Sequence, residues 1–173
     1  MQVIVLRLDY QSSTIFEQLQ QQAQNAASKQ KAALPPHLTL QSFTQSNPLE
    51  LKKAIEPWAV KMKQFSLSFA SLGFFKQQGS FYAAPVVTKP LAQMHSALSL
   101  STQEFTGHNA FYTPDQWVPH ATIINHIAPP FWGPLFARLS MEFKPFAAKC
   151  VAIECWSVVQ GKAQTEWSIF LLE

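Results

Sequence analysis

Residues 34–43 read LPPHLTLQSF, a proline pair followed by a run with strand character. Successive side chains of an extended strand point to opposite faces, so His37 and Thr39 share one face and Leu38 and Leu40 the other. A second stretch, VPHATII (118–124), repeats the arrangement: His120 and Thr122 on one side, Ala121 and Ile123 on the other. Each motif therefore presents an imidazole and a hydroxyl about 6–7 Å apart along the chain, toward one side of its strand. The apolar residues between them anchor the strand in a core. A proline directly precedes each histidine (Pro36, Pro119), which puts the pair at a strand entrance.

The sequence around these motifs falls into two halves of the same order. Residues 3–8 (VIVLRL) read as a buried strand. Ser12 or Ser13 is placed to cap a helix whose Ile15, Leu19, Ala23 and Ala26 recur at helical spacing. After the first motif, Leu51, Ala54, Ile55 and Trp58 form one apolar helical face, with Pro57 expected to kink or end the helix. FSLSFASL (65–72) alternates as a strand. The second half runs through a strand at 81–87 interrupted by Pro85, a helix marked by Leu91, Met94 and Leu98, and the second motif strand. It closes with a helix marked by Leu135, Phe136, Leu139 and Phe143, then strands at 150–159 and 166–172. The motif histidines lie 83 residues apart. One domain over 1–173 is expected, built from repeats of roughly 1–76 and 80–173 related by a pseudo-two-fold that brings both motif strands to a shared cleft.

Composition limits the function classes. At 47% hydrophobic, with 14 phenylalanines, the chain has ample core material, and its charged fraction of 13% is low. That fraction is about half the ordinary share. A net charge of +3 attracts anions weakly but supplies no basic stripe for tracking duplex DNA. Cys150 and Cys155 fall in one predicted strand at an odd separation, hence on opposite faces, and read as free core thiols in a reducing compartment. The opening MQVIVLRLDY is too short an apolar patch, broken by Arg7 and Asp9, for a signal peptide or a membrane span. A soluble cytoplasmic protein, a monomer with no membrane partner, is the expectation.

Two histidines facing each other across a phosphate form a general acid–base pair. The neutral imidazole takes a proton from the attacking water or hydroxyl, and the protonated one donates to the departing oxygen. Thr39 and Thr122 would donate hydrogen bonds to non-bridging phosphate oxygens. The five histidines show no zinc-type spacing, so neither a metal nor another cofactor is expected. A single His-x-Thr strand is ordinarily an accident of sequence. Two copies of Pro-His-apolar-Thr-apolar in matching halves are not.

The pattern resembles the two-histidine (2H) phosphoesterase superfamily, which includes 2′-5′ RNA ligase-like proteins and cyclic nucleotide phosphodiesterases. The resemblance covers essentially the whole chain. It implies a bilobal α+β fold of duplicated β-α-β-α-β units, with antiparallel-rich sheets facing a central cleft. It further implies His37 and His120 as acid and base and Thr39 and Thr122 as phosphate ligands. Two stretches depart from many bacterial members: Gln-Ser-Phe-Thr at 41–44, and Asn125-His126 where an arginine often follows the second motif. Those departures leave the substrate open.

Further substrate-binding candidates are Phe43 and Trp117, whose rings could stack on a nucleobase, along with His126 and the strand residue Arg7 as a phosphate clamp. Tyr82 and Tyr112 are placed to line the groove; His95 reads as structural and His108 as a loop residue. The leading expectation is a phosphoesterase for a 2′,3′-cyclic phosphate or a 2′-5′ linkage of a nucleotide or RNA end. The alternatives are a catalytically silent RNA-end or nucleotide-binding module and a phosphoesterase for a non-nucleotide cyclic phosphate.

Overall fold

The computed structural model describes residues 1–27 and 34–173. Among these, seven strands and four α-helices run in the order β1 (Gln2–Leu8), α1 (Tyr10–Ala26), β2 (His37–Phe43), α2 (Pro48–Ala59), β3 (Phe65–Phe75), β4 (Ser80–Pro85), α3 (Lys89–Ser101), β5 (Ala121–Ile124), α4 (Trp132–Glu142), β6 (Phe146–Val159) and β7 (Lys162–Phe170). The repeat of strand, helix, strand, helix, strand is thus present twice, with β7 added at the end. Asp9, not Ser12 or Ser13, caps α1, accepting from the Ser12 amide at 3.2 Å. Ser12 is instead buried in the first turn, where its hydroxyl accepts from the Lys149 amide. Pro57 sits inside α2, which ends two residues later.

All seven strands form one antiparallel sheet, ordered β2-β1-β6-β3-β4-β5, with β7 on β6. The order reads the same from either edge: second strand of a half, first strand of that half, third strand of the other half. The third strands are exchanged. Continuity comes from β6, whose 14 residues pair with β3 over their first part and with β1 and β7 over the rest. The antiparallel sheet structure expected of the fold is thus one continuous sheet, whose strand order is symmetric about the β6–β3 pair.

One face of this sheet carries the helices and the main core. Leu38 and Leu40 from the first motif and Ala121 and Ile123 from the second are each fully buried in that core. Phe16, Phe69 and Phe146 form an aromatic knot within it, with Phe69 and Phe146 stacked at 5.1 Å. A small second cluster of Val3, Val5 and Trp156 marks the other face.

Cys150 and Cys155 both belong to the main core, which corrects the expectation of opposite faces. Consecutive β1 residues Arg7 and Leu8 stand opposite Ala152 and Cys150, so Val151 is an extra residue in β6. A bulge of that kind shifts the alternation by one and returns the second thiol to the same side. Among the described residues, no helix is long and apolar enough to cross a membrane.

Candidate active site

The two motif strands are the two edges of the sheet, and the sheet curls until β2 and β5 come into contact. Each carries a bulge one residue past its threonine. In the first, Val5 faces Thr39 and Ile4 faces Gln41, leaving Leu40 without an opposite residue. In the second, Tyr82 faces Thr122 and Phe81 faces Ile124, leaving Ile123 in the same position. The bulge ends strict alternation directly after the motif, where both skipped side chains are driven into the core.

Both histidines are held alike. The Nδ1 of His37 lies 2.6 Å from the Pro35 carbonyl, and the Nδ1 of His120 lies 2.7 Å from that of Val118. A carbonyl can only accept, so Nδ1 carries the proton in each neutral ring and Nε2 is the acceptor nitrogen. Each bond spans the intervening proline, whose fixed φ holds the short turn that sets carbonyl against ring. An aromatic edge then packs each imidazole. Trp156 meets His37 at 4.7 Å and 63°, and Phe75 meets His120 at 4.9 Å and 81°. Trp156 faces Val3, and Phe75 faces Ser80, in the equivalent registers of the exchanged strands.

Burial pulls the pKa of His37 down to about 4, against the raising effect of the Pro35 carbonyl, and the charge of His120 lowers it further. Burial likewise lowers His120, opposed by the Val118 carbonyl. The repulsion places the two imidazoles within electrostatic reach of each other. Both prefer the neutral form.

The two sides of this pair differ. Beside His37, Arg7 stands directly across the β1–β2 ladder, with its guanidinium 3.3 Å from Glu154 and 5.3 Å from the centre of the Phe170 ring. Glu154 is only 4% exposed and also accepts from Trp156 Nε1 at 2.8 Å and Ser168 Oγ at 2.9 Å. That carboxylate therefore fixes both the ring behind His37 and the cation beside it. Next to His120 lies a cavity of about 410 Å³ lined by Phe75, Lys76, Gln77, Phe111, Tyr112, Gln116 and Trp117. Tyr82 stacks on Phe75 at 4.3 Å and reaches His120 at 5.3 Å. Gly73, opposite Tyr82, has no side chain because the Tyr82 ring lies where a Cβ would be.

Residues 8–162 match the family described as the 2′-5′ RNA ligase superfamily. The chain belongs to that superfamily. Solved structures resemble it over nearly full length: a phosphoesterase (TM-score 0.68, 14% identity, 99% of this chain and 98% of that one), and the Thermus thermophilus protein TT0787 (TM-score 0.67, 14% identity, 98% and 97%). E. coli LigT, solved with 3′-AMP, gives a TM-score of 0.62 at 13% identity over 99% of this chain and 98% of that one. No curated protein matches the sequence. At such identities the structures establish the LigT-like α+β fold of the superfamily.

Within this superfamily fold, the remaining sequence candidates land in different places. Trp117 lines the cavity, but its ring is covered on one side by His95 at 3.8 Å and its indole N–H donates to the Thr39 carbonyl at 3.1 Å. Phe43 is fully buried against Phe105, on the core side of β2. His126 follows β5 in the connecting loop, with φ of 55° and its amide donating to the Gln78 carbonyl. Tyr112 lines the cavity. Sequence reading missed Trp156, Phe75 and Glu154, because each enters through an exchanged strand far away in the chain. Among the described residues, no group of three or more His, Cys, Asp or Glu side chains is gathered to hold a metal ion.

Proposed function

We propose that this superfamily member is a metal-independent phosphoesterase acting on a nucleotide or RNA end, at a 2′,3′-cyclic phosphate or a 2′-5′ linkage. One observation carries the reading. Two imidazoles, each with Nδ1 tied to a carbonyl two residues back, offer matched Nε2 atoms from strands that meet. In hydrolysis of the cyclic ester, one Nε2 removes a proton from water as its oxygen bonds to phosphorus. The other, protonated, delivers a proton to the sugar oxygen as its bond to phosphorus breaks. Thr39 and Thr122 hold the non-bridging oxygens. His37, most averse to charge, takes the base role; His120 carries the proton once the anionic ester is bound.

The cavity beside His120 favours a nucleotide over a non-nucleotide ester. Phe111 is 72% exposed at its rim, beside Tyr112, Trp117 and the carboxamides of Gln77 and Gln116. Exposed aromatic rings and amides are the groups that stack on and read a base. E. coli LigT, of the same fold, has been solved with 3′-AMP, phosphate and ATP, which supports an occupant of this class. Arg7 adds a cation on the other side, for substrate phosphate beyond the scissile group. We place the enzyme in the cytoplasm as a monomer of duplicated units 1–76 and 80–173; its buried free thiols suit a reducing compartment.

The test is a panel of 2′,3′-cyclic and 2′-5′-linked nucleotides, assayed with divalent ions chelated. His37→Ala and His120→Ala should each lose about 10²–10⁴-fold in kcat. Full activity in either variant overturns the mechanism, and nucleotide binding without turnover by the wild type overturns the enzyme.

A further inference from the structure

The motif strands pose a problem that their own residues do not solve. Edge strands leave one row of backbone groups unpaired, and a bulge disrupts the ladder further. Two buried polar side chains answer this at corresponding places. Gln20 on α1, 6% exposed, donates from Nε2 to the Thr122 carbonyl at 3.1 Å and to the Leu34 carbonyl at 3.3 Å. His95 on α3 is 4% exposed. Its ring lies flat on Trp117 (3.8 Å, 4°), whose N–H holds the Thr39 carbonyl.

The two helices are counterparts, each the first of its half. Their buried faces superimpose in sequence: Phe16, Leu19, Gln20 and Ala23 on α1 against Leu91, Met94, His95 and Leu98 on α3. Gln20 and His95 are thus one position used twice. The support at the threonines, however, crosses over: Gln20 holds the Thr122 carbonyl directly, and His95 backs the Trp117 ring that holds the Thr39 carbonyl. The helix from the half containing His37 supports the strand of His120, and the helix from the half containing His120 supports the strand of His37.

We propose that Gln20 and His95 are a pair of positioning residues, each bracing the opposite motif strand at its bulge and together fixing the two imidazoles relative to each other. Neither touches the reacting atoms. Their effect is on where Thr39, Thr122 and the adjoining histidines stand, and a misplacement of about 1 Å costs on the order of 10²-fold in rate. The catalytic consequence rests on the phosphoesterase reading; the bracing does not.

The experiment follows the imidazole ¹⁵N resonances of His37 and His120 in Gln20→Leu and His95→Leu, with circular dichroism as the check on folding. His95→Leu should move the His37 resonances more than those of His120, and Gln20→Leu should do the reverse. His95→Gln, which places the Gln20 carboxamide at the matching site, should restore the wild-type His37 spectrum. On an active cyclic ester, each leucine variant should lower kcat by about 10- to 100-fold with KM little changed. Should a leucine variant fail to fold, Gln20→Asn and His95→Asn shorten the arm with polarity retained, and the same crossed pattern is required. A variant that perturbs its own half's histidine more than the other, or both equally, overturns the proposal. A crossed spectral pattern in a protein that turns over no phosphodiester keeps the bracing and discards the enzyme.

Discussion

His37 and His120 look interchangeable in sequence, and their identical Nδ1 bonds prolong that likeness. Their surroundings separate them: a buried carboxylate and a guanidinium beside one, a cavity with aromatic and amide walls beside the other. A substrate with a good leaving group distinguishes the two roles. With a p-nitrophenyl phosphodiester, which departs without a proton, His120→Ala should recover most of its loss while His37→Ala does not. Equal recovery by both, measured as kcat ratios, would refute the assignment of base to His37. Titration supplies a second check. An anion between the rings favours their charged forms, so saturating phosphate should raise the His37 pKa from about 4 toward its ordinary value, followed by imidazole NMR.

At the scale of elements, the decisive devices are bulges and one glycine. The alternation of His-x-Thr is readable from residue type alone, and Leu38, Leu40, Ala121 and Ile123 are buried as that alternation requires. The bulges at Leu40, Ile123 and Val151 are not readable, because an extra residue in a strand is set by which neighbour it pairs with. Gly73 belongs here as well. A methyl group there meets the Tyr82 ring, which packs in turn on Phe75 and His120. Gly73→Ala should displace that ring and lower kcat about tenfold through His120, with a stability loss of about 1–3 kcal/mol by urea unfolding. Unchanged kinetics would mean that the ring does not hold His120.

For the molecule as a whole, acid should act through the same histidines. His37 takes up a proton at about 4 when folded and near 6.5 when unfolded, so between those values the unfolded chain binds more protons. Stability is therefore complete above about pH 6.5 and is lost as pH falls toward 4. His95 and His120, lowered by burial, act in the same direction. Urea midpoints measured across this range should fall with acid, less steeply in His37→Gln and less steeply with phosphate bound. A midpoint independent of pH from 7 to 4 would contradict the burial of these rings.

The sequence by itself determined that there are two motifs, which face of each strand carries the imidazole and hydroxyl, and that the halves repeat. Period-two alternation and a repeated Pro-His-x-Thr string are local properties, carried by neighbouring residues. Only the tertiary structure decided what stands around each histidine. The third strands change places, so Trp156 reaches His37 and Phe75 reaches His120, each from the other half of the chain. Gln20 directly, and His95 (read as structural) through the Trp117 ring, are joined to the far motif by curling of the sheet. Pairing across such separations is settled by burial and hydrogen bonding of the whole sheet at once, and leaves no signature in any short stretch of sequence.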